Sequence, residues 1–145
     1  MKDEVMIKVP SHPKYLALLR AVTVTMGVQN KVADTVIRHM EHAVDEACSN
    51  VIKYAYAGDP NQQIDVTLTI SPEAFEVIIE DSGVKADVAS VKGRKLDDVR
   101  PGGLGVHLIK RACDIVEFDE KKKKGNRLRL VKYLKERHGD KNKEP

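Results

Sequence analysis

A carboxylate and an amide four residues apart are the first side chains in this sequence whose types and spacing could do chemistry. Glu46 and Asn50 lie in a stretch whose apolar residues recur with a helical period, so both side chains would stand on one face of a helix. A carboxylate can accept a proton, and an amide oxygen can bind a hard cation. The same pair is also consistent with a solvated glutamate and an asparagine that hydrogen-bonds locally.

Two further segments carry glycine at positions where a ligand could approach the backbone. Asp81-Ser82-Gly83 follows a stretch of alternating apolar residues, and Gly102-Gly103-Leu104-Gly105 precedes a stretch with helical period. Backbone N–H groups at such a helix start can bind phosphate groups. Either segment alone is also consistent with an ordinary turn, in which the aspartate bonds its own backbone.

The surrounding sequence predicts the elements that would position these residues. Apolar alternation predicts strands and helical spacing predicts helices. The expected elements, in chain order, are a strand over 5–9, a helix over 15–26, a long helix over 30–56, strands over 64–70 and 75–80, a helix over 104–113, and strands over 114–118 and 128–134. We expect Ser11 and Asn30 to cap the first two helices and Gly27 to end the first. Helices and strands segregate, which predicts an α+β sandwich.

The connection from Ser82 to Gly103 has no sustained apolar period. A connection of that length inside a compact domain is usually functional, so we expect a lid over the site. Residues 1–134 are expected to form a single domain, and residues 135–145 a basic, mobile tail.

Composition limits the class of protein further. The chain has 145 residues, of which 41% are hydrophobic and 32% charged, as expected of a globular protein without a membrane span. Its start has no signal-peptide pattern, so we expect a cytoplasmic location. Cys48 and Cys113 are expected to be reduced core residues. From Glu120 onward the sequence has eleven Lys or Arg and four acids, but Tyr133 is the only aromatic residue among them, so we expect no direct nucleic-acid contact.

Taken in order, these motifs resemble those of the GHKL ATPase superfamily, and in particular its small bacterial anti-sigma factor serine kinases. Glu46-Ala47-Cys48-Ser49-Asn50 is similar to the N-box, and Tyr54-Ala55-Tyr56 is typical of that branch. Asp81-Ser82-Gly83 is similar to the G1 box and Gly102-Gly103-Leu104-Gly105 to the G2 box. The resemblance extends from the first strand to about Leu134. It implies the GHKL (Bergerat) ATP-binding fold, a two-layer sandwich of a mixed, mainly antiparallel sheet with helices on one face.

The resemblance also implies roles for individual residues. Glu46 would be the general base and Asn50 the ligand of Mg²⁺, while Asp81 would accept a hydrogen bond from the adenine amino group of ATP. The remaining expected nucleotide contacts are Gly83, Arg100, Gly102, Gly103, Leu104 and Gly105. Arg100 is equally consistent with a partner contact or a solvated loop.

Two positions depart from the family pattern. Lys85 replaces the second glycine of the G1 box, which we interpret as a feature of the branch. Gly125-Asn126-Arg127 replaces a glycine followed by small hydroxyl residues in the last box, which puts contacts from that box in doubt.

The function implied is that of an anti-sigma factor protein serine kinase. It would phosphorylate a STAS-type anti-anti-sigma protein, sequester a sigma factor and form a homodimer. The alternative is a non-catalytic, ATP-gated partner switch, because a retained carboxylate does not prove turnover. A histidine kinase catalytic domain is disfavoured, since the sequence leaves no room upstream for a phospho-accepting helical hairpin.

Overall fold

The structure is a computed structural model that describes residues 2–86 and 109–134. Its strands are β1 (Asp3–Pro10), β2 (Gln63–Ile70), β3 (Ala74–Asp81), β4 (Ile115–Phe118) and β5 (Asn126–Tyr133). Its helices are α1 (Leu16–Gln29), which follows a 3₁₀ turn (Pro13–Tyr15), and α2 (Asp34–Asn50), which continues into a π-helical turn (Val51–Ala55). Residues 109–112 are also helical, in agreement with the described part of the predicted helix over 104–113.

The five strands form one sheet in the order β1-β2-β3-β5-β4, and each neighbouring pair is antiparallel. In β2 and β3 every second residue is buried, as the alternation of apolar residues predicts for a sheet with one covered face. The expected α+β architecture is confirmed.

The core lies between this covered face and the helices. Both α1 and α2 contact the sheet, and their buried residues join those of the strands in one cluster. The largest fully buried side chains are Phe75, Leu19, Met40, Ile64, Leu68, Ile79 and Leu130. The opposite face of the sheet carries ion pairs, in which Arg129 bonds Glu76 and Glu117 at 2.5 and 2.9 Å. Helices therefore cover one face of the sheet, as predicted.

The predicted ends of the first two helices are wrong. Asn30 does not begin α2: it follows the last residue of α1, and its side chain donates to the Met26 carbonyl at 2.9 Å. Ala33 is the residue before α2. Asparagine favours both ends of helices, because its amide can either donate or accept, and here the donor is used.

Gly27 does not end α1, which continues to Gln29. A Cβ at Gly27 would lie 2.6 Å from Ile37 Cγ1, so the glycine allows α1 and α2 to pack closely. Ser11 is not an N-cap either: it is fully buried, its hydroxyl donates to the Asp59 carbonyl at 2.6 Å, and His12 caps the 3₁₀ turn.

The expected lid beyond residue 86 and the expected tail over 135–145 lie outside the described residues. Among the helices that the structure describes, none has the length and apolarity that crossing a membrane would require.

Candidate functional site

Glu46 and Asn50 lie in the last two turns of α2. The helix buries a stripe that includes Ala43, Ala47 and Cys48, and this stripe packs on the sheet. Glu46 and Asn50 flank the stripe and are half-buried. Within residues 2–86 and 109–134 neither side chain forms a hydrogen bond or an ion pair. Their polar atoms are therefore available to a ligand.

The π-helical turn after Asn50 joins α2 to the segment that follows β3. The Ala55 carbonyl accepts a hydrogen bond from the Val84 N–H at 2.8 Å. The Tyr56 hydroxyl accepts one from the Ser82 N–H at 2.8 Å and donates to the Gln63 carbonyl at 2.6 Å. Single π-helical turns occur frequently at functional sites. Here the turn holds residues 81–86, which we call the Asp81 loop, against the end of α2.

Gly83 allows the Asp81 loop to approach the π-helical turn. A Cβ at this position would lie 2.2 Å from the Ala55 carbonyl oxygen and 2.6 Å from its carbon. Both atoms belong to the backbone and cannot turn aside as a flexible side chain can. The position therefore requires glycine because of this close contact.

Asp81 ends β3 with its side chain on the covered face of the sheet, where it is only 4% exposed. Its Oδ1 accepts hydrogen bonds from the Gly83 N–H at 2.8 Å and from Asn126 Nδ2 at 3.0 Å. Its Oδ2 has one longer contact, 3.2 Å from the same Asn126 nitrogen. A carboxylate oxygen has room for two acceptor bonds, so Oδ2 retains capacity for another donor.

Opposing effects set the charge of Asp81. Burial raises the pKa of its carboxyl, because the ionised form loses hydration. The hydrogen bonds from Gly83 and Asn126 and the positive charge of Lys122 lower that pKa and partly offset the effect of burial. Tyr56 also faces this carboxylate, and burial raises the pKa of its hydroxyl. A buried acceptor of this kind selects a ligand group that donates a hydrogen bond.

The predicted site residues thus fall into two described groups. Glu46 and Asn50 lie at the end of α2, and Asp81 and Gly83 at the end of β3; the π-helical turn connects the two groups. The other predicted nucleotide contacts lie outside the described residues: Arg100, Gly102, Gly103, Leu104 and Gly105.

Sequence reasoning missed two residues of this site, Asn126 and Tyr56. In the sequence Asn126 is only a departure from the family pattern, yet in the structure it bonds Asp81 directly. The signal was its place at the start of the strand that pairs with the strand ending in Asp81. Tyr56 belongs to the Tyr54-Ala55-Tyr56 motif, which by itself gives it no role. A tyrosine in an apolar stretch usually finds a partner for its hydroxyl, which could have indicated its contacts with the Asp81 loop.

The chain is similar to known proteins over most of its length. The family model described as histidine kinase-like ATPase domain matches residues 9–132. Serine-protein kinase RsbW of Bacillus subtilis (strain 168) is 28% identical over 142 residues, which cover 91% of this chain and 86% of the relative. RsbW of Listeria monocytogenes serotype 4b (strain F2365) is 28% identical over 152 residues, 98% of this chain and 94% of the relative. RsbW of Bacillus cereus (strain G9842) is 26% identical over 144 residues, with 91% and 86% covered.

Proposed function

This chain belongs to the histidine kinase-like ATPase domain family, and from that membership we propose that it is an ATP-dependent serine kinase and anti-sigma factor. Its substrate would be a serine or threonine of a STAS-type anti-anti-sigma protein, and a second surface would sequester a sigma factor. The relatives named as serine-protein kinases support the choice of reaction. The observation that carries the proposal is the pair of unengaged side chains, Glu46 and Asn50, joined through the π-helical turn to the buried Asp81.

The nucleotide would be recognised at Asp81. Its Oδ2 has the remaining acceptor capacity that the amino group of adenine requires, whereas guanine has a carbonyl at the corresponding position. Gly83 holds the loop around this acceptor. Arg100, Gly102, Gly103, Leu104 and Gly105 remain proposed phosphate contacts.

Asn50 would bind Mg²⁺ through its amide oxygen. The described residues include no group of three or more His, Cys, Asp or Glu side chains that could hold a metal ion. A site with one protein oxygen fits Mg²⁺, which retains water and takes phosphate oxygens as its other ligands. The bound metal would neutralise charge on the phosphates. The unpartnered side chain of Asn50 fits this role.

Glu46 would accept the proton of the attacking hydroxyl group. Its carboxylate is half-buried and has no partner within the described ranges, so it is free to bond an incoming hydroxyl. Phosphoryl transfer requires such a nucleophile in line with the γ-phosphate. The oxygen of the partner's serine would form the new P–O bond as the bond to ADP breaks, and Glu46 would hold the proton.

The proposal is tested by incubating the protein with Mg²⁺, ATP labelled at the γ-phosphate and purified STAS-type proteins encoded beside its gene. Glu46→Gln retains size but loses the proton acceptor. Transfer should fall about 10²–10⁴-fold, while ATP affinity stays near that of the wild type. Glu41→Gln, also half-buried on α2, is the matched control and should transfer normally.

Two results would contradict this assignment. Transfer at the wild-type rate by Glu46→Gln would remove Glu46 from the mechanism. Release of a bound sigma factor by ATP, with no transfer to any STAS-type protein, would instead favour the non-catalytic switch.

The remaining proposals concern assembly and location. We propose a cytoplasmic homodimer that binds no nucleic acid directly. Analytical ultracentrifugation of the protein by itself should give the mass of a dimer. With a sigma factor added, it should give the mass of the dimer bound to that sigma factor. A monomer at micromolar concentration would contradict the dimer.

A further inference from the structure

Asn126 lies directly opposite Asp81 in the antiparallel pair of β3 and β5. Residues at such positions point to the same face with their Cβ atoms close together. The Asn126 amide nitrogen bonds both carboxylate oxygens of Asp81 and donates to the Val84 carbonyl at 2.9 Å. Its amide oxygen accepts from the Ala86 N–H at 2.7 Å. One side chain therefore bonds the base-recognition carboxylate and two backbone groups of the Asp81 loop.

These four contacts allow only one orientation of the amide. A flipped Asn126 would place its oxygen against the Asp81 carboxylate and the Val84 carbonyl, which are both acceptors. It would also place its NH₂ group against the Ala86 N–H, which is a donor. The amide therefore always presents its donors to Asp81, in a position that is itself only 9% exposed.

The NH₂ group that Asn126 turns towards Asp81 has two consequences for that carboxylate. It stabilises the ionised carboxylate against the effect of burial, and it bonds Oδ1 at a shorter distance than Oδ2, so Oδ2 retains more capacity to accept a further hydrogen bond. Among the described residues, the titratable or charged groups that act on this carboxylate are Tyr56, from the π-helical turn, and Lys122, from the β4–β5 connection. Unlike these two groups, Asn126 bonds both carboxylate oxygens of Asp81.

We propose that Asn126 is a positioning residue that determines base selectivity: it favours the ionised form of Asp81 and orients the carboxylate so that the site prefers a purine with an amino group at C6. The inference rests on the proposed ATP-binding function and adds a residue to it. Asn126 acts through Asp81 and through the Asp81 loop, without contact to the reacting phosphate.

The test compares Asn126→Thr with Asn126→Val. The two side chains have nearly the same shape, both suit a strand, and both lose the contacts with Val84 and Ala86. They differ in one hydroxyl group, which can donate to Asp81. Asn61→Val, in an exposed turn, is the control for loss of an asparagine. Circular dichroism and thermal melts establish that each variant is folded, and titration calorimetry measures ATP and GTP affinity across pH.

We expect Asn126→Val to lose about ten- to hundredfold in ATP affinity, the range for one hydrogen bond to a charged group. GTP affinity should change by less than about threefold, so the preference for ATP shrinks. The pH below which ATP binding weakens should also rise, because Asp81 protonates more readily. The ATP affinity of Asn126→Thr should lie between those of Asn126→Val and the wild type, and the ATP affinity of Asn61→Val should equal that of the wild type. If Asn126→Val does not fold, Asn126→Thr and the wild type are compared for the same quantities.

A purely structural role would lower stability without changing base preference. If the wild type and both Asn126 variants have equal ratios of ATP affinity to GTP affinity and equal pH profiles of ATP binding, the inference is overturned and the kinase proposal still stands. A wild-type protein that does not prefer ATP to GTP would overturn both. NMR titration of the Asp81 carboxyl without nucleotide gives an independent readout: its pKa should be higher in Asn126→Val than in Asn126→Thr, and equal values would also overturn the inference.

Discussion

Replacing Gly83 by alanine perturbs the Asp81 loop at its closest contact with α2. The new Cβ would lie 2.2 Å from the Ala55 carbonyl oxygen. An ordinary contact of these atoms needs about 3.4 Å, so the loop must move away by roughly 1 Å. The Val84 N–H to Ala55 hydrogen bond, now 2.8 Å, would then exceed hydrogen-bonding distance.

The expected size of the effect follows from the bonds that this shift breaks. The bonds from Val84 to Ala55 and from Ser82 to Tyr56 both cross the gap that must widen. At about 0.5–1.5 kcal/mol each, their loss lowers the free energy of unfolding by about 1–3 kcal/mol. For a chain of this length the melting temperature should fall by about 3–10 °C. ATP affinity should fall at least about tenfold, because Asp81 moves with the loop.

Gly58→Ala is the matched control. Gly58 has φ +84°, and a Cβ added there would meet no atom within 4 Å, so alanine introduces backbone strain without a clash. Its cost should be about 1–2 kcal/mol of stability, with ATP affinity unchanged. Thermal melts and titration calorimetry on both variants separate the two effects.

Either of two results would refute this reasoning. Gly83→Ala with the melting temperature and ATP affinity of the wild type would show that the loop does not depend on this contact. An equal loss of ATP affinity in Gly58→Ala would show that lowered stability alone weakens binding.

Two further predictions concern the metal and the charge of the site. Asn50→Ala should weaken ATP binding in Mg²⁺ but not in EDTA; calorimetry under both conditions checks this, and equal losses would contradict the metal role. Because burial raises the pKa of Asp81 above 3.8, the folded state binds a proton more tightly than the unfolded state. Wild-type stability relative to Asp81→Asn should therefore fall as pH rises from 3.8 through the folded-state pKa, and urea unfolding that shows a constant difference would contradict this.

The strands were predictable because their evidence is local. Alternation over 64–70 and 75–80 shows which side chains face the core. In the structure β2 begins one residue earlier than predicted, and β3 is one residue longer at each end. Helix ends were less predictable, because Gly27 and Asn30 each suit several positions. Only the packing of Ile37 on Gly27 and the acceptor at Met26 decide their roles.

The candidate site was predictable where a motif is contiguous and not where it depends on register. Glu46, Asn50, Asp81 and Gly83 lie within recognisable segments. Asn126 stands 45 residues after Asp81, and their contact depends on the pairing of β3 with β5, which no local pattern specifies.

The backbone of the π-helical turn explains why the two groups of site residues form one unit. A helix leaves its last carbonyl groups without intrahelical partners. The Gly58 N–H donates a hydrogen bond to the Ile52 carbonyl, and the Tyr56 N–H donates one to the Val51 carbonyl. The Ala55 carbonyl could bond an N–H five residues on, but Pro60 has none. Val84 supplies the missing donor at 2.8 Å. The end of the helix that carries Glu46 and Asn50 is thus hydrogen-bonded to the Asp81 loop through the Ala55 carbonyl, so this backbone contact holds the two groups of site residues against each other.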